Sequence, residues 1–381
     1  MKVLLLLIFC FLLFLGEQRF FISTSFVFAE EPIDIDKYQI FRSTNSTVLQ
    51  MENWIKELPY FIMHHCENSL LGQVEVVRAS TETNFGHAFS SLDFLKILRG
   101  KKLSFFGDSL TRQLFNSIVL RLYPFQSDGK KEGKSFYFHF YKDYNATIVF
   151  CEDGFGHTLI NDDLSTQNCS SFAIENADYL ILGVSAWYKP FYKLEPKIEP
   201  DYMKNYKLSL TTYEIAIRSM RKQLELFYSR NEKFPKIIWR LSPHAGSSEE
   251  MNYKQYSRNI HSKLDGGKRT SYSNTPKHVV RPLFTQKDLF PHHNGELWTS
   301  LALKEGNVAS WVEPFNNIVS HVAAEYKDSI FDWYKFSLKY IQVVGSMNIT
   351  KMIHADSLHY CLMGVPVASD LYLFDVLQAI S

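Results

Sequence analysis

The sequence predicts an α/β fold in which a mostly parallel β-sheet is covered by helices on both faces. Three features support this prediction: short apolar runs typical of buried strands, segments with helical spacing between them, and a tight Gly-Asp-Ser turn that joins one such strand to a helix. Strands that alternate with helices along a chain usually form parallel sheets. The 381 residues are 46% hydrophobic, which is enough apolar material for a large core.

The first predicted unit is a strand, a turn and a helix. The apolar run 103–106 predicts the strand, residues 107–109 break it, and apolar residues three and four apart over 110–122 predict the helix. Alternation over 136–150, with a break around 143–145, predicts a hairpin.

The later elements follow from the same patterns. A capping box formed by Thr211 and Glu214 predicts the start of a helix that reaches about Phe227. The remaining predictions are strands at 177–184, 236–241 and 329–333, and helices at 307–326 and 366–380.

The first 29 residues are predicted to be a targeting segment. The unbroken apolar run 3–16 is shorter than the roughly 20 residues that span a bilayer, and it fits the core of a signal peptide with cleavage after Ala29. The alternative is an uncleaved signal anchor that holds the protein in a Golgi membrane. Both place the rest of the chain in the secretory pathway, either in the Golgi lumen or secreted. Residues 30–95 are predicted to be an N-terminal extension packed on a main domain at 96–381.

The charge balance does not favour a strongly acidic partner. Lys and Arg number 41 and Asp and Glu number 40, for a formal net charge of +1. A balanced chain gives no electrostatic reason to expect binding to nucleic acid or to an acidic membrane surface.

Cysteines and glycosylation motifs agree with a luminal compartment. Apart from Cys10 in the targeting segment, four cysteines permit two disulfides in three pairings; they are Cys66, Cys151, Cys169 and Cys361. Four Asn-x-Ser/Thr motifs predict N-glycosylation, at Asn45, Asn145, Asn168 and Asn348.

The candidate catalytic residues are Ser109, Asp356 and His359. A serine at a strand-to-helix turn lies clear of the sheet, beside backbone N–H groups that can stabilise an anion. Its hydroxyl needs a base, and the base needs an orienting group. Asp356 and His359, in an Asp-x-x-His pattern before the last helix, supply both. The alternatives are a helix cap at Asp108–Ser109 and a metal site that includes His354; we expect no metal.

Gly-Asp-Ser with a late Asp-x-x-His resembles the SGNH/GDSL hydrolases. More closely, the chain is similar to the PC-esterase group, which includes the plant trichome birefringence-like glycan O-acetyltransferases and the luminal domain of the sialate O-acetyltransferases. Ordered blocks carry the resemblance, at 95–113, 141–150, 177–188, 239–244, 332–334 and 354–366. The resemblance implies a three-layer α/β/α, flavodoxin-like fold with 96–381 as the catalytic domain. It also implies a Cys66–Cys361 bridge, which leaves Cys151 to pair with Cys169.

One block departs from the plant members, which have Asn-Thr/Ser-Gly-His-Trp-Trp where this chain has Gly183 to Tyr188. The oxyanion hole is therefore assigned to the backbone N–H groups of Ser109 and Gly183. Candidate substrate-binding residues lie in or beside the blocks; they are Arg112, Trp187, Arg240 and His244.

The resemblance implies transfer of an acetyl group to a glycan or polysaccharide hydroxyl through an acyl-Ser109 intermediate. No bound cofactor is expected, and the acetyl donor is a co-substrate whose identity the sequence does not give. One alternative is a carbohydrate esterase of the GDSL type. Another is a non-catalytic glycan-binding protein with the same fold.

Overall fold

The computed structural model describes the chain from residue 33 to the C-terminus with gaps. The described ranges are 33–42, 74–78, 87–125, 127–132, 135–154, 156–160, 169–185, 200–229, 233–243, 312–346, 360 and 365–381. Asp356 and His359, the cysteines at 66 and 361, and the predicted targeting segment lie outside them. No helix within the described ranges is long and apolar enough to cross a membrane.

The strands of the described residues form two sheets. In chain order they are β1 (Tyr38–Arg42), β2 (Val74–Arg78), β3 (His87–Ala88), β4 (Lys102–Gly107), β5 (Asp128–Glu132), β6 (Phe136–Tyr141), β7 (Ala146–Glu152), β8 (Tyr179–Gly183), β9 (Lys236–Arg240) and β10 (Ser329–Phe331). The large sheet has the order β10-β9-β8-β4-β7-β6-β5. Its first five strands run parallel, and β6 and β5 are antiparallel to their neighbours.

Helices cover both faces of the large sheet. They are α1 (Ser91–Ile97), α2 (Ser109–Arg121), α3 (His157–Ile160), α4 (Cys169–Ile174), α5 (Pro200–Tyr228), α6 (Glu313–Tyr326), α7 (Trp333–Ser346), α8 (Val365–Ala368) and α9 (Asp370–Ala379). Successive side chains of a strand point to opposite faces. Phe105 belongs to the core cluster that contains residues of α2, α7 and α9, while Phe106 belongs to the cluster that contains residues of α5 and α6. The predicted three-layer, mostly parallel α/β fold is confirmed.

The residues before α2 contact the C-terminal helices. Strands β1, β2 and β3 form a three-stranded antiparallel sheet. The hydroxyl of Tyr38 donates to the Asp375 carboxylate at 2.7 Å, and Arg78 pairs with the same carboxylate at 3.2 Å. The boundary predicted between residues 95 and 96 falls inside α1.

Two predicted helices are present with different bounds. The helix predicted to start at Thr211 begins at Pro200, so the Thr-x-x-Glu pattern lies inside α5. Glu214 pairs with Arg218 one turn later, at 3.2 Å. The predicted closing helix 366–380 is two helices, α8 and α9, separated at Ser369.

The strand predicted at 329–333 is also too long. It ends at Phe331, because Trp333 begins α7, a helix that the sequence patterns did not predict. Asp332 caps this helix by accepting from the N–H of Lys335 at 3.0 Å. The available signal was Asp332 itself, because aspartate is a preferred residue directly before a helix. The edge strand β5 was also missed.

A disulfide joins the end of β7 to the start of α4. It links Cys151 and Cys169, whose α-carbons are 5.5 Å apart. This is the pairing that remained once the resemblance assigned Cys66 to Cys361, and it is confirmed. The predicted hairpin at 136–150 is present as β6 and β7, and Asn145 lies in its turn, exposed and in the left-handed conformation.

Acidification should destabilise the fold through His139. This residue of β6 is 2% exposed, and burial lowers its pKa from 6.5 to about 4. Between these values the unfolded chain binds a proton that the folded chain does not bind. The free energy of unfolding therefore falls by about 2–3 kcal/mol from pH 7.5 to 4.5 through this group.

Urea unfolding of the wild type and of His139→Phe at the two pH values checks this prediction. All other titrating groups are common to the two proteins, so the difference between them isolates His139. We expect the variant to lose less stability on acidification. An equal loss in both proteins would contradict the prediction.

Candidate active site

The turn between β4 and α2 presents Ser109 at the carboxyl end of a central parallel strand. Sites in α/β proteins gather at this edge of the sheet. Ser109 is the first residue of α2 and is 9% exposed. Asp108 is the helix cap, and its carboxylate accepts from the N–H groups of Leu110 and Thr111 at 3.0 and 3.1 Å. The cap fixes the backbone on both sides of the serine.

Gly107 makes this turn sterically feasible. Its φ is +149°, and a β-carbon there would lie 2.0 Å from the carbonyl oxygen of Gly183 on the neighbouring strand β8. That carbonyl accepts from the N–H of Asp108 at 2.9 Å and from the hydroxyl of Thr111 at 2.8 Å. The turn is thus fastened to the end of β8 by contacts that leave no room for a side chain.

A buried ion pair lies beneath the turn. The guanidinium of Arg240, at the end of β9, donates to the Asp108 carboxylate at 3.0 Å, and neither side chain is exposed. Its Nε donates to the Thr111 hydroxyl at 3.1 Å, and the group lies 5.6 Å from the ring centroid of Trp333. Burial lowers the pKa of Arg240, and the Asp108 charge acts in the opposite direction.

This geometry indicates a positioning role for Arg240, because its buried guanidinium contacts Asp108 and Thr111 of the nucleophile turn. A contact between Arg240 and substrate stays a prediction. Strand β8 lies between β9 and β4, and a β-carbon at Gly183 would lie 2.3 Å from the Nε of Arg240. The absence of a side chain at Gly183 therefore lets the arginine cross the intervening strand.

Gly183 and Arg112 both lie beside the turn. The carbonyl of Gly183 accepts from Asp108 and Thr111. That the N–H of Gly183 donates to the oxyanion stays a prediction. Arg112 pairs with Glu152 at 3.1 Å, which ties α2 to the end of β7. The pair is largely buried, at 11% and 16% side-chain exposure. The bracing interpretation of Arg112 fits this contact, and a substrate contact stays a prediction.

Four other predicted site residues lie outside the described residues; they are Asp356, His359, Trp187 and His244. The alternative metal site that includes His354 also lies outside them. A hydrogen bond nevertheless links the residue after His359 to the helix of Ser109. Gln113, one turn after Ser109, donates through Nε2 to the carbonyl of Tyr360 at 2.7 Å. Tyr360 is buried and directly follows His359 in the sequence.

Replacing Gly107 with alanine should disrupt the turn. The added β-carbon meets a backbone carbonyl, so the strands must separate, and we expect a loss of about 3 kcal/mol or more in the free energy of unfolding. Gly100→Ala is the matched control, because Gly100 also has a positive φ, +68°, but no atom lies within 4 Å of the added carbon.

In Gly100→Ala the free energy of unfolding should fall by only about 1 kcal/mol, which is the cost of placing alanine in the left-handed backbone conformation. Denaturant unfolding of both variants measures the difference. Equal losses would show that the contact with Gly183 is relieved without strain.

Comparisons with known proteins point to one family. Residues 87–281, just over half of the chain, match the family model PC-Esterase, described as a GDSL/SGNH-like acyl-esterase family found in Pmr5 and Cas1p. The matched region includes Ser109 and Arg240 and ends before Asp356.

Similar curated proteins come from rice, Oryza sativa subsp. japonica. Xylan O-acetyltransferases 3 and 4 are each 30% identical over 115 residues, which is 26% of this chain and 25% or 24% of the relative. Xylan O-acetyltransferase 2 is 29% identical over 118 residues, 26% of this chain and 23% of the relative. The chain thus spans about a quarter of the length of the relatives it matches.

Proposed function

Because this chain belongs to the PC-Esterase family of GDSL/SGNH-like acyl-esterases, we propose that it transfers an acetyl group to a polysaccharide hydroxyl through an acyl intermediate on Ser109. The observation that carries the proposal is the position of Ser109, on the first turn of α2 at the carboxyl end of β4, with its turn held by the buried Asp108–Arg240 pair. The names of the rice relatives support acetyl as the group and polysaccharide as the acceptor class.

In the first half-reaction His359 accepts the proton of the Ser109 hydroxyl, and the oxygen attacks the carbonyl carbon of the acetyl donor. Asp356 orients the imidazole and stabilises its charged form. The tetrahedral intermediate collapses, the donor's leaving group departs with the proton from His359, and the acetyl ester of Ser109 remains.

The helix turn limits which groups can stabilise the oxyanion. The N–H groups of Leu110 and Thr111 already donate to Asp108. We therefore propose the N–H of Ser109 as the oxyanion donor. The N–H of Gly183 as a second donor stays a sequence-based prediction, because Gly183 pairs with Gly107 in the β4–β8 ladder. Each such donor contributes about 3 kcal/mol to stabilisation of the transition state.

In the second half-reaction the acceptor hydroxyl gives its proton to His359 and attacks the acyl-enzyme. The acetyl group moves to the sugar and Ser109 recovers its proton. Attack by water instead releases acetate, which is the acyl-esterase outcome that the family description supports. The acetyl donor acts as a co-substrate, and the proposal includes no bound cofactor.

We also propose that the protein works in the lumen of the secretory pathway. The Cys151–Cys169 disulfide supports it, because such bonds persist in oxidising compartments. Exposed Asn145, in an Asn-Ala-Thr motif, is accessible to a glycosyltransferase in the same compartment. The N-terminal segment then serves as a signal peptide or Golgi anchor, with the enzyme membrane-anchored or secreted.

One assay separates the candidate reactions. The full chain is incubated with an activated acetyl ester that carries carbon-14 in the acetyl group, together with a panel of deacetylated polysaccharides. Label on a polysaccharide, dependent on Ser109, supports the transferase. Free labelled acetate without labelled sugar identifies an esterase. Release of neither product, together with no labelling of Ser109 by a fluorophosphonate probe, would contradict both and favour a non-catalytic glycan-binding protein.

A further inference from the structure

A cleft lies at the far end of α2 from the nucleophile. It has a volume of about 630 Å³ and is lined by the end of α2 and the residues that follow it, by β5, and by the end of β6 and the turn after it. Val119, on its wall, is ten residues after Ser109. At 1.5 Å per residue the two are about 15 Å apart along the helix axis. The cleft is therefore separate from the site of acyl chemistry.

The lining combines aromatic rings with short polar side chains. Tyr123 and Phe125 supply partly exposed rings, and Asp128 and Asp143 supply exposed carboxylates. Lys142 adds one ammonium group. The lining has more negative than positive charge, so it does not suit a phosphate or another anion. Its polar groups do not suit a lipid chain.

A buried histidine supports the floor of the cleft from beneath. The Nδ1 of His139 lies 3.0 Å from the hydroxyl of Ser127, and its ring stacks on Tyr141 with centroids 6.4 Å apart. Gly129 packs directly on the imidazole, since a β-carbon there would lie 2.9 Å from Cε1. Burial lowers the pKa of His139 to about 4, so the floor is uncharged at neutral pH.

We propose that this cleft binds a short segment of a neutral polysaccharide. Aromatic faces pack against the apolar C–H faces of sugar rings, while the carboxylates and hydroxyls of the lining hydrogen-bond to sugar hydroxyls. The volume is in the range of pockets that hold drug-sized ligands, which is the size of about two or three sugar rings. This second carbohydrate site goes beyond the proposed acetyl transfer, because it requires no chemistry at Ser109.

Binding is tested on the full chain carrying Ser109→Ala, so that no turnover takes place. Neutral xylo-, manno- and cello-oligosaccharides of one to six residues are titrated by calorimetry and by saturation-transfer NMR. We expect at least one series to bind, with affinity rising up to about two or three residues and then levelling off. No binding by any series at millimolar concentration would overturn the proposal.

Variants then locate the binding. Tyr123→Ala removes an aromatic face, and Asp128→Asn removes an exposed carboxylate while keeping the size of the side chain. Each should weaken binding roughly ten-fold. Phe172→Ala is the control, because Phe172 is 44% exposed but does not line the cleft. Unchanged affinity in both cleft variants would place the sugar elsewhere and overturn the proposal. A wild-type thermal transition in Asp128→Asn excludes misfolding as the cause of a loss.

Discussion

Ser109→Ala is expected to reduce turnover about 10⁴- to 10⁶-fold while the protein stays folded. The acyl intermediate needs the serine oxygen, and members of a nucleophile–base–orienter set act as a unit, so removal of one member removes nearly the whole effect. Alanine favours helix at the first position of α2. The Asp108 cap does not involve the serine side chain, so the turn keeps its contacts.

The measurement is acetyl release or transfer under single-turnover conditions, with labelling by a fluorophosphonate probe in parallel. Ser91→Ala is the control; this helix residue donates to the Arg121 carbonyl at 2.8 Å, outside the nucleophile turn. We expect His359→Ala to match the loss in Ser109→Ala, and Asp356→Asn to lose most of the activity. More than a few per cent of activity in Ser109→Ala would contradict the nucleophile assignment, and loss on chelation would favour a metal at the C-terminal motif.

The elements that the sequence predicted well are those with one dominant local signal. Gly107 and Asp108 predict a turn by themselves, and the apolar spacing of α2 predicts a helix without knowledge of its neighbours. The start of α5 was missed because a Thr-x-x-Glu pattern is compatible with a helix start and with a helix interior. The end of β10 was missed because Trp333 has β propensity, which packing on the core overrides.

The candidate site was predicted only where sequence neighbours form it. Ser109 lies within one tight turn, so its position follows from local pattern. The Asp108–Arg240 pair depends on strand order, since the arginine on β9 crosses β8 to reach a turn after β4. Asp108 and Arg240 are 132 positions apart in the sequence, so no local sequence pattern can predict their contact. The sequence therefore predicted Arg240 as a site residue but not its contact with the nucleophile turn.

Arg240→Met is expected to destabilise the fold by about 3–5 kcal/mol, because it leaves the Asp108 carboxylate buried without its counter-charge. Methionine fills much of the arginine volume, so the effect reports the charge more than a cavity. The turn that carries Ser109 also loses its contacts with the guanidinium. We expect turnover to fall about 100-fold, because a displacement of about 1 Å at a reacting group has an effect of this size.

A double-mutant cycle distinguishes the charge interaction between Asp108 and Arg240 from the packing effects of the two substitutions. Asp108→Asn keeps a helix-capping side chain of the same size but leaves the Arg240 charge buried and unpaired, so it should also be strongly destabilising. Combined, the two substitutions remove both charges. The double variant should be more stable than the sum of the single losses predicts, with a coupling of about 1–3 kcal/mol in denaturant unfolding. Additive losses would show that the two side chains act independently, and would remove Arg240 from the positioning of Ser109.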